Sequence, residues 1–245
     1  MDEDDREEIK TLRSLLGANA IIKLKDVPTE VIQSAILNSV QLCVEKWPFM
    51  KGVIQLGITR IDSQEGDRTT KATYDPETKI ISLNIEQFSN IEKLEKLIKK
   101  YDEENLIPSG TGDVSSIMTH ELGHVLSKVL EEQGIFVLNI ISSATHQVFS
   151  LNFNELTDIE LVSFARENAS RLTGQRTREI IEIFYYRFSE SSFFNNRTFE
   201  QHNEFLTAIS EEIFAETVRE YLHSNTPGEF SAVIGKYIEN YFKET

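Results

Sequence analysis

The chain has 245 residues, of which 40% are hydrophobic, and its formal net charge is -15. This length and composition suit a protein with a sizeable buried core, and we predict one large domain. The strong negative charge argues against binding to nucleic acid or to an anionic membrane surface, because both attract basic proteins. We therefore expect a basic substrate to be favoured.

The start of the chain carries six acidic side chains in its first eight residues. This is the opposite of the basic start of a classical signal peptide, and no apolar run approaches the length of a membrane span. We expect residues 1–19 to be a solvated acidic leader, with the domain core beginning after it. Cys43 is the only cysteine, which excludes an intrachain disulfide and fits a reducing compartment. We predict that Cys43 is a small buried side chain on the apolar face of a helix.

Before residue 102, some stretches of the sequence have a pattern typical of helices and others a pattern typical of strands. Apolar residues recur at helical spacing in some stretches and alternate with polar residues in others. The predicted helices are 7–16, 28–47 and 91–101, and the predicted strands are 52–61, 69–74 and 79–85. The last two strands flank the turn signal Asp75-Pro76-Glu77-Thr78, so we expect them to form a hairpin.

An apolar, helix-favouring run at 117–126 contains the pattern His-Glu-x-x-His. Residues four apart share one face of a helix, so His120 and His124 can offer nitrogen ligands to one metal ion, with Glu121 beside them. Zinc in such a site lowers the pKa of a water molecule and polarises a carbonyl, while a carboxylate takes up the proton of the water. The pattern therefore predicts a zinc-dependent hydrolase.

The surroundings of this motif favour a helix. Gly112-Asp113 supplies a turn and a candidate N-cap, and Gly134 is a stop signal, so we expect a helix from about Val114 to about Glu132. The sequence beyond it is largely helical, most strongly from Glu211 to Ser224. The alternative interpretation of the motif is a surface helix with two solvated histidines.

Zinc needs a third protein ligand, and the downstream helix offers candidates. Glu212 and Glu216 are four residues apart and therefore lie on one face, beside an apolar stripe. Paired glutamates on a helix are more often solvated, so spacing alone leaves their role open.

Together, the motifs at 120–124 and 212–216 resemble those of the catalytic domain of anthrax toxin lethal factor and its relatives. These relatives include the Pro-Pro endopeptidases and the zincin-like C-terminal domains of phage minor head proteins. The similarity extends from Val53 to about Phe242 and is concentrated in the two motifs. It implies an α+β, zincin-like fold with a small mixed sheet, a metal-binding helix and a mostly helical C-terminal half.

The resemblance also implies roles for individual residues. His120, His124 and Glu212 would be the zinc ligands, and Glu121 would be the general base. Glu216 would orient a ligand from outside the metal shell. The implied cofactor is one Zn²⁺ ion per chain.

The implied activity is that of a zinc metalloendopeptidase of the gluzincin type, formed by residues 20–245. Its substrate would be an extended peptide or protein that adds as a further strand to the sheet edge at Lys79–Asn84. The phage relatives also imply a possible capsid partner, so we expect a cytoplasmic or virion-associated protein.

Two features depart from the family pattern. Phe205 stands where the family has a tyrosine that stabilises the oxyanion, and loss of such a donor weakens catalysis. Other residues that could replace the donor are Tyr185, Tyr186, His202 and His223. The separation of the two motifs is about twice that in the toxin, and we predict that residues 135–200 are a helical insertion or subdomain. The rival function is that of a phage virion-associated or interaction protein with a weakly active or inactive zinc site.

Overall fold

The computed structural model describes most of the chain, in the ranges 6–17, 22–25, 27–53, 57–61, 72–77, 80–84, 86–108, 110–189 and 199–244. These residues are mostly helical with a small sheet, which confirms the predicted α+β class. The chain divides into two compact units. The first consists of Met1–Lys100 and Gly112–Val125, and the second of Tyr101–Thr111 and Leu126–Thr245. The limits predicted for the domain (20–245) and for the insertion (135–200) stay predictions.

The first helix, α1 (Glu7–Leu16), belongs to the core of the first unit. The Arg6 side chain donates hydrogen bonds of 2.6 Å to the backbone carbonyl oxygens of Leu24 and Val27. Three apolar side chains of α1 at helical spacing are buried; they are Ile9, Leu12 and Leu16. The expectation that residues 1–19 form a leader outside the core is therefore wrong for this helix. The acidic residues of α1 lie in its first turn, where their negative charges interact favourably with the positive end of the helix dipole.

The predicted second helix is present as three consecutive segments. They are α2 (Thr29–Val31), a π-helical segment (Ile32–Leu37) and α3 (Asn38–Lys46). Cys43 is fully buried on α3, as predicted. A short helix, α4 (Met50–Val53), follows and takes up the first residues of the strand that we expected from Gly52.

A three-stranded mixed sheet follows in the first unit. Its strands are β1 (Gly57–Ile61), β2 (Ala72–Asp75) and β3 (Ile80–Asn84). Strand β3 pairs in parallel with β1 and antiparallel with β2, which confirms the predicted hairpin. The order is β1-β3-β2, so β3 is the central strand and both of its edges are occupied. The predicted use of Lys79–Asn84 as a substrate-binding sheet edge is therefore wrong for 80–84, and Lys79 lies outside the described residues.

Two helices that the sequence predicted come next. They are α5 (Ile91–Glu103) and α6 (Ser115–Glu132). The Asp113 carboxylate accepts a hydrogen bond of 3.1 Å from the backbone N–H of Ser116, so it satisfies a free donor in the first turn of α6. The bounds of α6 differ by one residue at most from those predicted.

The described residues of the second unit are largely helical. Its helices are α7 (Val137–Phe149), α8 (Asp158–Asn168), α9 (Gln175–Ser189), α10 (Phe199–His223) and α11 (Glu229–Glu244), with a short 3-10 turn at Phe153–Glu155. The large aromatic residues Phe153, Phe205, Phe214 and Phe230 are almost fully buried. Helix α10 begins twelve residues before the predicted start at Glu211. In the part of the chain that the structure describes, no helix has both the length and the apolar character of a membrane span.

Candidate metal centre

The two motif histidines lie one turn apart on α6 and direct the same ring nitrogen toward each other. The distance between His120 Nε2 and His124 Nε2 is 3.2 Å, and their rings meet edge to face. Two nitrogen ligands that each lie about 2.0–2.1 Å from a tetrahedral zinc ion are about 3.4 Å apart. The separation of the two nitrogens therefore suits ligation of one zinc ion.

Packing on the other side of α6 fixes the direction in which these histidines point. Met118, Leu122 and Leu126 are fully buried, whereas His120 and His124 are half-buried. Immediately before His120, Thr119 forms a buried hydrogen bond of 2.7 Å with the Ser39 side chain. Because these contacts fix the rotation of the helix, the alternative of a surface helix with two solvated histidines does not fit.

The protonation state of His124 also suits a metal ligand. Burial lowers its pKa to about 4, so the imidazole is neutral at pH 7 and keeps a lone pair for a metal. Glu121, the predicted base, is 7% exposed and lies next to His120 in the same turn. Its carboxylate is thus shielded from bulk water.

The third predicted ligand, Glu212, is half-buried on α10. Burial raises the pKa of Glu212 to about 7. The negative charge of Glu216 adds to this rise, the positive charge of Arg176 opposes it, and the negative charge of Glu211 makes a smaller contribution that also raises the pKa. One carboxylate oxygen of Glu212 and one nitrogen each of His120 and His124 all lie within 4.8 Å of one another. The three residues that the sequence predicted as ligands are thus close together.

Glu216 does not belong to this group of three. It is 2% exposed, and its carboxylate oxygens lie 3.9 Å from Arg176 Nε and 3.5 Å from Arg219 Nη1. Neither arginine is predicted from the sequence. Arg219 could have been found, because residues three apart on a helix are neighbours. Arg176 lies on a different helix, and no local pattern links it to Glu216.

Phe205 and the four candidate oxyanion donors lie on α9 and α10, and they differ in their exposure. Phe205, at the position of the family tyrosine, is fully buried. Tyr186 is 56% exposed, and its ring packs edge to face on Tyr185. His202 Nδ1 lies 3.0 Å from Asp158 Oδ1, so one of its nitrogens is engaged, and His223 is half-buried at the end of α10.

The donor set fits zinc better than a harder metal ion. Two imidazoles and one carboxylate are the protein ligands of a well-known class of catalytic zinc sites, whereas calcium and magnesium prefer sites made of oxygen ligands alone. No protein-family model, curated protein sequence or solved structure matches the chain. The resemblance to the lethal factor group therefore rests on the two motifs themselves.

Proposed function

We propose that the protein is a zinc metalloendopeptidase with a zincin-like fold, in which His120, His124 and Glu212 hold the metal. The observation that carries the proposal is the approach of their ligand atoms to within 4.8 Å of one another, with two of them on a His-Glu-x-x-His helix. When bound, zinc would supply Lewis acidity, which activates a water molecule and polarises the substrate carbonyl. The order of a small sheet, the histidine helix α6 and the glutamate helix α10 supports the proposed fold.

Within this proposal, Glu121 is the general base. Its carboxylate accepts the proton of the attacking water and passes it to the departing amine. Because Glu121 is largely shielded from solvent, the proton is retained for the leaving group and is not lost to bulk water. His124 contributes a neutral imidazole, which binds a metal without first losing a proton.

The substrate that fits best is an extended, basic segment of polypeptide. The net charge of -15 favours approach of a basic chain. Among the described strands β3 is central, so β1 and β2 form the edges, and a peptide bound as an extra strand would pair with one of these two.

The rival function is a zinc-binding virion or interaction protein without peptidase activity. Phe205 favours it, because a phenylalanine at the family's tyrosine position cannot donate a hydrogen bond to an oxyanion. Both functions require zinc binding by the same three residues, and they differ only in whether the protein cleaves peptides.

The test is cleavage of a peptide library by the zinc-loaded protein, read by mass spectrometry. We expect cleavage by the wild type and a loss of about 10²–10⁴ fold in Glu121→Gln, which binds zinc but cannot take up a proton. Glu132→Gln is the matched control, because Glu132 is exposed at the end of the same helix. Equal turnover by wild type and Glu121→Gln would exclude Glu121 as the base. A zinc-loaded wild type that cleaves nothing would support the rival function.

A further inference from the structure

Helix α10 buries an ion pair one turn after the proposed ligand Glu212. Glu216 is 2% exposed and Arg219 is 6% exposed. Charged side chains are rarely buried to this extent unless they are paired, because removing a charge from water is costly. Their closest charged atoms, Glu216 Oε2 and Arg219 Nη1, are 3.5 Å apart. This pair lies within α10 itself.

A second guanidinium reaches the same carboxylate from α9. Arg176 Nε lies 3.9 Å from Glu216 Oε1, and its side chain is 44% exposed, whereas that of Glu216 is 3% exposed. The backbone that carries Arg176 is anchored, since Leu172 and Thr177 are buried and Thr177 is hydrogen-bonded to Thr173. Glu216 is therefore held between two guanidinium groups, one from each helix.

We propose that Arg176 is a positioning residue for the zinc ligand Glu212 and that it acts through Glu216. Glu212 and Glu216 share one face of α10, so an uncompensated charge on Glu216 would repel the ligand carboxylate. Arg176 offsets that charge and fixes the Glu216 side chain. This inference rests on the proposed zinc site.

The predicted insertion at 135–200, which the resemblance does not explain, also has a role in this arrangement. Arg219 pairs with Glu216 within α10 and needs no other helix. Arg176 is contributed by α9, which belongs to that stretch. Through the contact of Arg176 with Glu216, the stretch therefore supports the proposed ligand Glu212.

The first measurement is the zinc affinity of Arg176→Gln, determined by competition with a chromogenic chelator. We expect affinity about 10–100 fold below that of the wild type, the loss that accompanies removal of residues supporting metal ligands. The visible spectrum of the cobalt-substituted protein should change as well, because it reports the geometry of the ligands. Arg178→Gln is the matched control, since Arg178 lies on the same helix and pairs with Glu182, with 3.0 Å between Nε and Oε1. Its affinity and spectrum should stay at the wild-type values.

The second measurement asks whether Arg176 acts through Glu216. In a Glu216→Gln background, Arg176→Gln should cause no further loss of zinc affinity, because the charge that it offsets is gone. Circular dichroism shows whether each variant folds, and Arg176→Lys, which keeps the charge, should bind zinc within about threefold of the wild type. Unchanged affinity in Arg176→Gln, or losses that add in the double variant, would overturn the inference while leaving the zinc site intact. A wild type that binds no zinc would overturn the proposed function and this inference together.

Discussion

The Ser39 hydroxyl lies 2.7 Å from the Thr119 hydroxyl, and both side chains are fully buried. Thr119 donates its hydrogen to the backbone carbonyl oxygen of Ser115, 3.2 Å away. A hydroxyl has one hydrogen, so Ser39 must donate to Thr119. This chain of hydrogen bonds ties α6 to α3 at the residue directly before His120.

We predict that Thr119→Val lowers the free energy of unfolding by about 1–3 kcal/mol, because the Ser39 hydroxyl then loses its acceptor in a buried place. Ser39→Ala should cost less, since it removes the donor together with the need for an acceptor. Urea denaturation of both variants and of the double variant measures these energies. The double variant should lose less than the sum of the two, and strictly additive losses would show that the two hydroxyls are not coupled.

The second prediction concerns the Cys43 thiol, whose pKa burial raises from 9.0 to about 12. Below pH 9 the thiol is protonated in both the folded and the unfolded chain, so it contributes no pH dependence. Between pH 9 and pH 12 the thiol ionises only in the unfolded chain, which binds fewer protons. The free energy of unfolding should therefore fall with rising pH by about 1.4 kcal/mol per unit from this group.

Cys43→Ala is the control for this thiol, because it lacks the ionising group while other residues titrate as before. The pH slope should be shallower in Cys43→Ala than in the wild type. At pH 8 a disulfide reagent should leave the native protein unmodified and label about one thiol per chain in denaturant. Rapid labelling of the native protein would contradict the burial of Cys43.

The third prediction concerns Gly235 in α11. A Cβ atom at this position would clash with ring carbons of Tyr221 at the end of the ring nearest the backbone, which cannot swing away. Helix propensity alone would make Gly235→Ala stabilising by about 1 kcal/mol. We expect the clash to dominate and the substitution to cost about 1–3 kcal/mol, measured by thermal or urea denaturation. In a Tyr221→Ala background the same substitution should no longer destabilise. A more stable Gly235→Ala in the wild-type background would show that the Tyr221 ring leaves room for the added methyl group.

The fourth prediction concerns removal of the metal. A ligand that binds only the folded state at a thousand times its dissociation constant adds about 4 kcal/mol to the free energy of unfolding. We therefore expect a chelator to lower the melting temperature of the zinc-loaded wild type by several degrees. His120→Ala should melt at the same temperature with and without the chelator. An equal effect of the chelator on this variant would place the bound metal elsewhere.

The local parts of the fold and of the candidate site could be predicted from the sequence. Helix α6, the spacing of its histidines and the face shared by Glu212 and Glu216 depend on residues a few positions apart, where helical periodicity applies. The β2–β3 hairpin likewise follows from a turn signal between two strand patterns.

Features that depend on pairing between distant residues could not be predicted. The parallel pairing of β1 with β3 makes β3 central, and no local pattern distinguishes a central strand from an edge strand of this length. The contact between Arg176 and Glu216 joins two helices, so no local sequence pattern predicts it either. The burial of α1 is a different case, because its apolar stripe is visible in the sequence. The acidic residues of its first turn instead favour the interpretation as a solvated leader.

The most direct test of the central claim is the zinc content of the purified protein, measured by elemental analysis after dialysis against metal-free buffer. We predict about one zinc per chain in the wild type and in Glu211→Gln, whose substituted residue adjoins the ligand but lies outside the group of three. In Glu212→Gln the content should fall close to zero, because the amide is a far weaker ligand than the carboxylate. Full occupancy in Glu212→Gln would contradict the assignment of Glu212 as the third zinc ligand.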